Sequence, residues 1–371
     1  MILKNLYLEN FRNYEREELS FSKTQNLIFG ENAQGKTNLL EAVFYLSCLK
    51  TFRSQKDFNA VRSGFSEARI KGDFSAYGRD ISVSCTIRDG ARELFVNGIP
   101  EKRPSDHIGL IKTVVFSPDD LRLIKEGPAL RRRFLNIAIS QMRPSYIKAL
   151  AEHNKIIESK RKILKMSDGR ERYLDYLDVL NEKLAGVYAQ ILSERGKFLN
   201  EAADIVKRVG LEISGGNEEI SISYIHASSI SDTSDIDGNK KKLTEHLSAR
   251  KSAELSAFSC LIGAHRDDIE VYINGNLARD FASQGQIRSC VLALKVAEHE
   301  IYEKDSEEKP ILLLDDVLSE LDVKRRSFLI NDVNRGQTII TGCDPSMFSE
   351  LLHGKIFTVQ NGKICDENTK Q

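Results

Sequence analysis

The spacing of hydrophobic positions changes twice along the chain. In the first part, short β-rich runs alternate with turns: residues 27–29 are apolar and end at Gly30, residues 68–74 and 81–87 follow, and 94–96 closes on Asn97-Gly98, a tight-turn dipeptide. This predicts a sheet with hairpins. Over 144–209 the spacing lengthens to three, four or seven, with Leu174, Leu177, Leu184, Val187, Ile191, Phe198, Ala202, Ile205 and Val209 on one stripe. That is the pattern of long amphipathic helices, and the stripe reads as core because nothing in it has ligand chemistry. Residues 226–242, HASSISDTSDIDGNKKK, lack apolar periodicity and predict an exposed loop. Strand and turn signals return at 269–273 with Asn274-Gly275, at 311–314, at 338–341, and at 356–359 with Asn361-Gly362. The fold class expected is α/β: a mixed β-sheet with flanking helices, split by an inserted mainly helical domain, with segments 1–125, 126–255 and 256–371.

Composition narrows the function classes. Lys+Arg and Asp+Glu both count 54, so net charge gives no global reason to expect nucleic acid or a membrane, and any DNA affinity must come from local patches. No apolar run approaches the roughly 20 residues that span a bilayer, and the start has no targeting pattern, so a cytoplasmic protein is expected. The six cysteines, Cys48, Cys85, Cys260, Cys290, Cys343 and Cys365, show no CxxC and suggest neither zinc nor a disulfide framework.

The chemistry sits in three motifs. Gly30-Glu31-Asn32-Ala33-Gln34-Gly35-Lys36-Thr37 fits GxxxxGK[ST], with an apolar strand before it and a helical pattern from Asn38 after it. Glycines let backbone N–H groups converge on phosphates, a helix N-terminus adds positive potential, Lys36 reaches the outer phosphates and the Thr37 hydroxyl takes Mg²⁺. Residues 311–316, ILLLDD, form an apolar run ending in two acids. Alone it would be a buried strand and a solvated loop. Beside a phosphate loop, Asp315 becomes the expected Mg²⁺ partner and Asp316 the candidate for orienting an attacking water. The third element, Ser283-Gln284-Gly285-Gln286, could by itself be a helix cap. In the order phosphate loop, Ser-x-Gly-Gln, acidic strand and then Ser319-Glu320-Leu321-Asp322, it matches the ABC ATPase arrangement.

Further segments sharpen the likeness: Asn10 to Tyr14 (NFRNY), Phe116 to Leu121 (FSPDDL), Arg131 to Leu135 (RRRFL), His265 to Asp268 (HRDD) and Leu314 to Asp322 (LDDVLSELD). Together with the signature they resemble the RecF family of bacterial recombination mediators, from the first residues to beyond Asp322. The resemblance implies an ABC-type head that binds ATP and Mg²⁺. It also implies a cytosolic protein that binds single-stranded or gapped DNA without reading sequence, and that works with RecR and through it RecO to help load RecA in replication restart and the SOS response. It places Arg12, Asn32 and Asn38 near the nucleotide. It further implies an ATP-dependent homodimer in which Ser283, Gly285 and Gln286 meet the nucleotide held by the partner. Asp316 stands where many ABC relatives carry Glu, and Thr341-Gly342-Cys343 stands where many carry a switch His. Both departures suit a slow ATPase switch better than a motor.

Basic clusters at Arg131-Arg132-Arg133, at Lys160-Arg161-Lys162 with Lys165, and at Lys240-Lys241-Lys242 are candidates for a DNA groove across two subunits. Each alone more often means a solvated face. The alternative function is the energising ATPase subunit of a membrane transporter. Gly30 and Asp315 are 285 positions apart, which resembles neither a compact transporter ATPase nor a chromosome-condensing ATPase with long coiled coils. A P-loop small-molecule kinase is disfavoured by the Ser283 to Gln286 element, which a monomeric enzyme would not need.

Overall fold

The apolar runs that end in motif residues form strands of one sheet. The computed structural model describes residues 1–53, 60–166, 171–226, 230–330, 336–343 and 354–370, with side chains left out at 104, 171–174 and 366–370. Its strands are β1 (Ile2–Phe11), β2 (Tyr14–Ser20), β3 (Gln25–Phe29), β4 (Glu67–Ala76), β5 (Arg79–Arg88), β6 (Ala91–Val96), β7 (Ile99–Pro100), β8 (Thr113–Phe116), β9 (Ile220–Ile225), β10 (Asp268–Ile273), β11 (Asn276–Leu277), β12 (Ile311–Asp315), β13 (Thr338–Gly342), β14 (Gly354–Gln360) and β15 (Lys363–Lys370). The central sheet has the order β15-β14-β3-β13-β12-β8, parallel except for the β15 edge. β12 and β13 are buried along their whole length, which is why they read as continuous apolar runs rather than alternating ones.

A second, antiparallel sheet, β2-β1-β4-β5-β6-β7, contains the predicted hairpins. Asn97 and Gly98 both take positive φ, 50° and 77°, as the turn between β6 and β7 requires. Helix α1 (Lys36–Cys48) is wedged between the sheets and apolar nearly all round. Ile28, Val115, Ile311, Leu313 and Ile339 of the central sheet share a core with Leu3, Leu6, Ile70 and Phe74 of the second. The alternate residues Leu27, Val114, Leu312, Leu314 and Ile340 face the other way, into a helical core.

That core is supplied by the middle of the chain. After the short turns α2 (Pro104–His107) and α3 (Arg122–Lys125) come α4 (Pro128–Ser140), α5 (Pro144–Met166) and the 44-residue α6 (Glu171–Ser214). Predicted stripe residues Leu177, Leu184, Val187, Ile191, Phe198, Ala202 and Val209 are buried, and Ile205 packs against them. The Leu174 side chain lies outside those described. The loop expected over 226–242 is corrected in part: α7 (Ile236–Ala249) begins inside it, with Asp235 accepting from the Gly238 N–H at 2.9 Å. Its anchoring residues, Leu243 and Leu247, lie beyond the lysine run, so the polar segment carries no sign of them. Residues 227–229 lie outside the described residues. Helices α8 (Lys251–Ala257), α9 (Ala278–Phe281), α10 (Gln284–Ser306) and α11 (Val323–Phe328) complete the set. β10 pairs antiparallel with β9 on one side and β11 on the other in a small third sheet, tying the helical middle to the returning C-terminal part. Among the described residues no helix is long and apolar enough to cross a membrane.

Candidate nucleotide-binding site

The phosphate loop leaves the C-terminal end of β3 and turns into α1. Its backbone bends through positive φ at Gly30, Ala33 and Gly35. A Cβ on Gly30 would strike the Val359 carbonyl, and one on Gly35 would collide with the Asn13 amide and the Tyr14 hydroxyl, so both positions require glycine. Asn13 donates to the Gln34 carbonyl at 2.9 Å, Tyr14 donates to the Gly35 carbonyl at 3.0 Å, and Asn38 donates to Asn13 at 2.7 Å. The Asn361-Gly362 turn presses on the loop from the other side, donating to Gln34 at 2.5 and 3.0 Å. Gly35 caps α1 without a side-chain bond, which leaves first-turn N–H groups open to an anion.

Strand register brings the acids to this loop. Asp315 pairs with Thr341, which pairs with Ile28. The Asp315 carboxylate accepts from the Thr37 hydroxyl at 2.8 Å and from Thr341 at 3.0 Å, and burial pushes its pKa up. A hydroxyl and a carboxylate side by side form an oxygen set suited to Mg²⁺ completed by phosphate oxygens and water. Asp316 follows at φ 53°, its backbone N–H donating to Thr341 at 2.9 Å. Lys36 donates to the Gly30 and Glu31 carbonyls, and its Nζ stands 3.2 Å from Cys343 Sγ. Cys343 in turn donates to Asn32 at 3.0 Å. Thr341, Asn13 and Tyr14 join the site through contacts that motif spacing does not single out. A threonine closing the strand between β3 and β12 was the available signal for Thr341, but strand order is not readable from sequence.

Arg12, Ser283 and Gln286 have partners of their own. Arg12 is engaged bidentately with buried Glu41 of α1 at 2.9 and 2.7 Å, and so braces the helix after the loop. Ser283 caps α10 in a reciprocal box with Gln286, at 3.3 and 2.9 Å. No hydrogen bond joins Ser283, Gly285 or Gln286 to residues 30–38 among the described residues.

The basic clusters are corrected at two positions, Lys160 and Arg131. Lys160 is fully buried and paired with Glu254 at 2.8 Å. Arg131 is buried and bidentate to Asp268 at 2.7 and 2.8 Å. Neither is a surface cation, because a charge leaves water only with a partner. Arg161, Lys162, Lys165 and Lys240 to Lys242 remain exposed.

A model of the RecF/RecN/SMC N terminal domain family matches residues 2–364. A protein of Acetivibrio thermocellus, named DNA replication and repair protein RecF, is 38% identical over 95% of this chain and 96% of its own. Its counterpart in Clostridioides difficile is 37% identical over 98% and 96%. The chain belongs to the RecF family. Among solved structures, the recombination mediator protein RecF with ATP, of the RecFOR pathway, superposes with a TM-score of 0.91 at 33% identity, covering 99% of this chain and 98% of that one. An Smc head bound to the C-winged helix domain of ScpA, at TM-score 0.58 and 14% identity over 100% and 98%, shares the fold. RecF membership thus accounts for the mixed α/β head with its helical insertion.

Proposed function

We propose that this RecF-family chain binds ATP with Mg²⁺ at the phosphate loop, closes as a homodimer, and uses slow, DNA-stimulated hydrolysis as a switch in DNA replication and repair. The observation that carries this is the convergence of Lys36, Thr37 and Asp315 at the ends of β3 and β12, while Ser283 caps the exposed N-terminus of the otherwise largely buried α10 and, among the described residues, neither it nor Gly285 is hydrogen-bonded to the phosphate loop. Gly30 to Asn38 and, on the far side, the partner's signature would then enclose the nucleotide. Thr37 and Asp315 would hold Mg²⁺, which would supply charge neutralisation at the phosphates, and Asp316 would position the attacking water. Slow turnover is supported by the short Asp316 side chain and by Cys343, rather than histidine, beside Lys36.

The segments 1–125, 126–255 and 256–371 serve this reading as two halves of the head and an inserted arm. Exposed Arg161, Lys162, Lys165 and Lys240 to Lys242 on that arm support sequence-indifferent contact with the backbone of gapped or single-stranded DNA. RecR, and through it RecO, are the partners this role requires. Sizing by light scattering with and without ATP, and with and without a gapped duplex, tests the proposal. ATP should convert monomer to dimer, and the duplex should enhance the conversion. A species unchanged by both would overturn it.

A further inference from the structure

A second cleft, of about 490 Å³, opens between α4, α5 and the residues that follow α1. None of residues 30–38 lines it, and it lies at the opposite end of the 13-residue α1, roughly 20 Å from the phosphate loop. Its lining includes Arg132, Arg133 and Arg92 and contains no Asp or Glu. Arg132 donates to the Asp267 carbonyl at 2.8 Å and Arg133 to the Thr51 carbonyl at 2.5 Å. Neither guanidinium forms an ion pair among the described residues, and burial lowers the pKa of both. Asp267 and Asp268 act on Arg132, and Asp120 on Arg133, only from beyond ion-pair distance, so two half-buried cations with no carboxylate in the cleft lining make a site suited to an anion.

Two imidazoles complete the basic end. His153, 1% exposed, and His265 stand with ring centroids 5.6 Å apart. The Nε2 of His153 and the Nδ1 of His265 are buried and have no hydrogen-bond partner among the described residues. Both nitrogens face Gly263, where a Cβ would come within 2.9 and 3.0 Å of them and close the space between. Burial pushes their pKa values down to about 4 and about 3, so the rings are neutral at pH 7 and a neighbouring anion would draw protons onto them. Behind them the end is walled by Arg195, which is itself committed to Asp267 and to Tyr146 at 2.9 Å.

The other end becomes more apolar beyond Lys50 and Arg92. An adjoining cavity of about 300 Å³ shares Lys50, Arg92, Asn136, Ile137, Leu150 and Asn154 with the first and adds Leu49, Ile108, Ile147 and Ala151. A basic end, a continuation whose walls are mainly Ile108, Ile137, Ile147 and Leu150 beyond Lys50 and Arg92, and flanking amides match the parts of a nucleotide, in a volume typical of small-ligand sites. We propose that this cleft is a second nucleotide site, separate from the phosphate loop, which holds a nucleoside 5′-phosphate. Its phosphate would lie among Arg132, Arg133 and the two imidazoles, and its base against Ile137 and Leu150. A terminal monoester suits the closed end better than an internal diester, since its second charge meets the second arginine. The source is either a free nucleotide or the 5′ end of a DNA strand.

The test uses the full chain with the phosphate loop saturated by ATP and compares three probes: thymidine 5′-monophosphate, a 5′-phosphorylated oligothymidylate and its 5′-hydroxyl twin. The parent protein should bind the phosphorylated strand on the order of tenfold more tightly than the hydroxyl strand, as one charge-assisted contact demands. Arg132→Gln and, at an exposed position on the rim, Ala129→Glu should abolish that preference. ATP binding measured on the same variants should match the parent, which separates this site from the phosphate loop. Ring signals of His153 and His265 should shift toward the protonated form on binding. Saturable monophosphate binding lost in both variants assigns a free nucleotide; phosphate preference confined to the strands assigns a strand end. Absence of both, or variants that bind as the parent does, overturns the proposal.

Discussion

Replacing Lys36 by Ala removes the one ammonium that the phosphate loop encloses. In the ligand-free geometry this group is 6% exposed and donates to the Gly30 and Glu31 carbonyls. On nucleotide binding it exchanges these neutral acceptors for phosphate oxygens, so the gain is the difference between a charged and a neutral acceptor rather than a whole ion pair. One hydrogen bond to a charged group contributes about 1.5–3 kcal/mol. Because the loop carbonyls are given up, the low end applies, and ATP affinity should fall on the order of tenfold. Stability should change little: Glu31 is exposed and Gly30 partly so, and water can replace the ammonium at both carbonyls. Titration calorimetry with Mg²⁺-ATP, alongside thermal unfolding, measures both quantities. A dissociation constant within twofold of the parent, in a variant that melts normally, would refute the assignment of Lys36 to the phosphates.

Ser283→Arg should leave ATP binding by the monomer intact and prevent ATP-dependent dimerisation, and dimers persisting in light scattering would exclude a shared site. Asp316→Asn should keep Mg²⁺-ATP binding through Thr37 and Asp315 while slowing phosphate release in a steady-state assay; parental turnover would remove Asp316 from the water-orienting role. Asp267 is fully buried and accepts from Arg195, Tyr188 and Tyr224, at 2.5, 2.6 and 2.5 Å, so Asp267→Asn strands a buried guanidinium and should cost about 3–5 kcal/mol in urea unfolding. A loss below about 1 kcal/mol would show that the network is not a charge pair held out of water. His153 and His299 are almost completely buried with pKa values pushed down to about 4 from an ordinary 6.5. Their folded forms bind fewer protons than the unfolded chain, so their contribution is intact above pH 6.5 and is lost as pH falls toward 4. At pH 5 that loss is about 2 kcal/mol per histidine. Denaturant midpoints independent of pH between 7 and 5 would contradict it.

Sequence alone determined the parts of this protein whose chemistry is local. Gly30, Gly35, Lys36 and Thr37 are legible because a phosphate nest needs particular backbone angles and side chains within eight consecutive residues, and no distant contact is required to recognise it. The ILLLD run is legible because a strand buried on both faces cannot alternate. The long stripe of α6 follows from helical period, and the Asn97-Gly98 and Asn361-Gly362 turns follow from the cost of positive φ for most residues.

Tertiary structure decided what depends on partners far along the chain. Lys160 and Arg131 look like surface cations until Glu254, 94 positions on, and Asp268, 137 positions on, arrive beside them. Thr341 becomes part of the site only because β13 lies between β3 and β12. The start of α7 was hidden because the leucines that bury it come after its lysines. The cleft of Arg132, Arg133, His153 and His265 combines two motifs more than a hundred residues apart with a helix between them, and no periodicity records such a meeting. Backbone preference and hydrophobic period act over a few residues and so leave marks in sequence. Charge pairing, strand order and cavities arise from the closure of long loops, and their partners become visible only once the chain has folded.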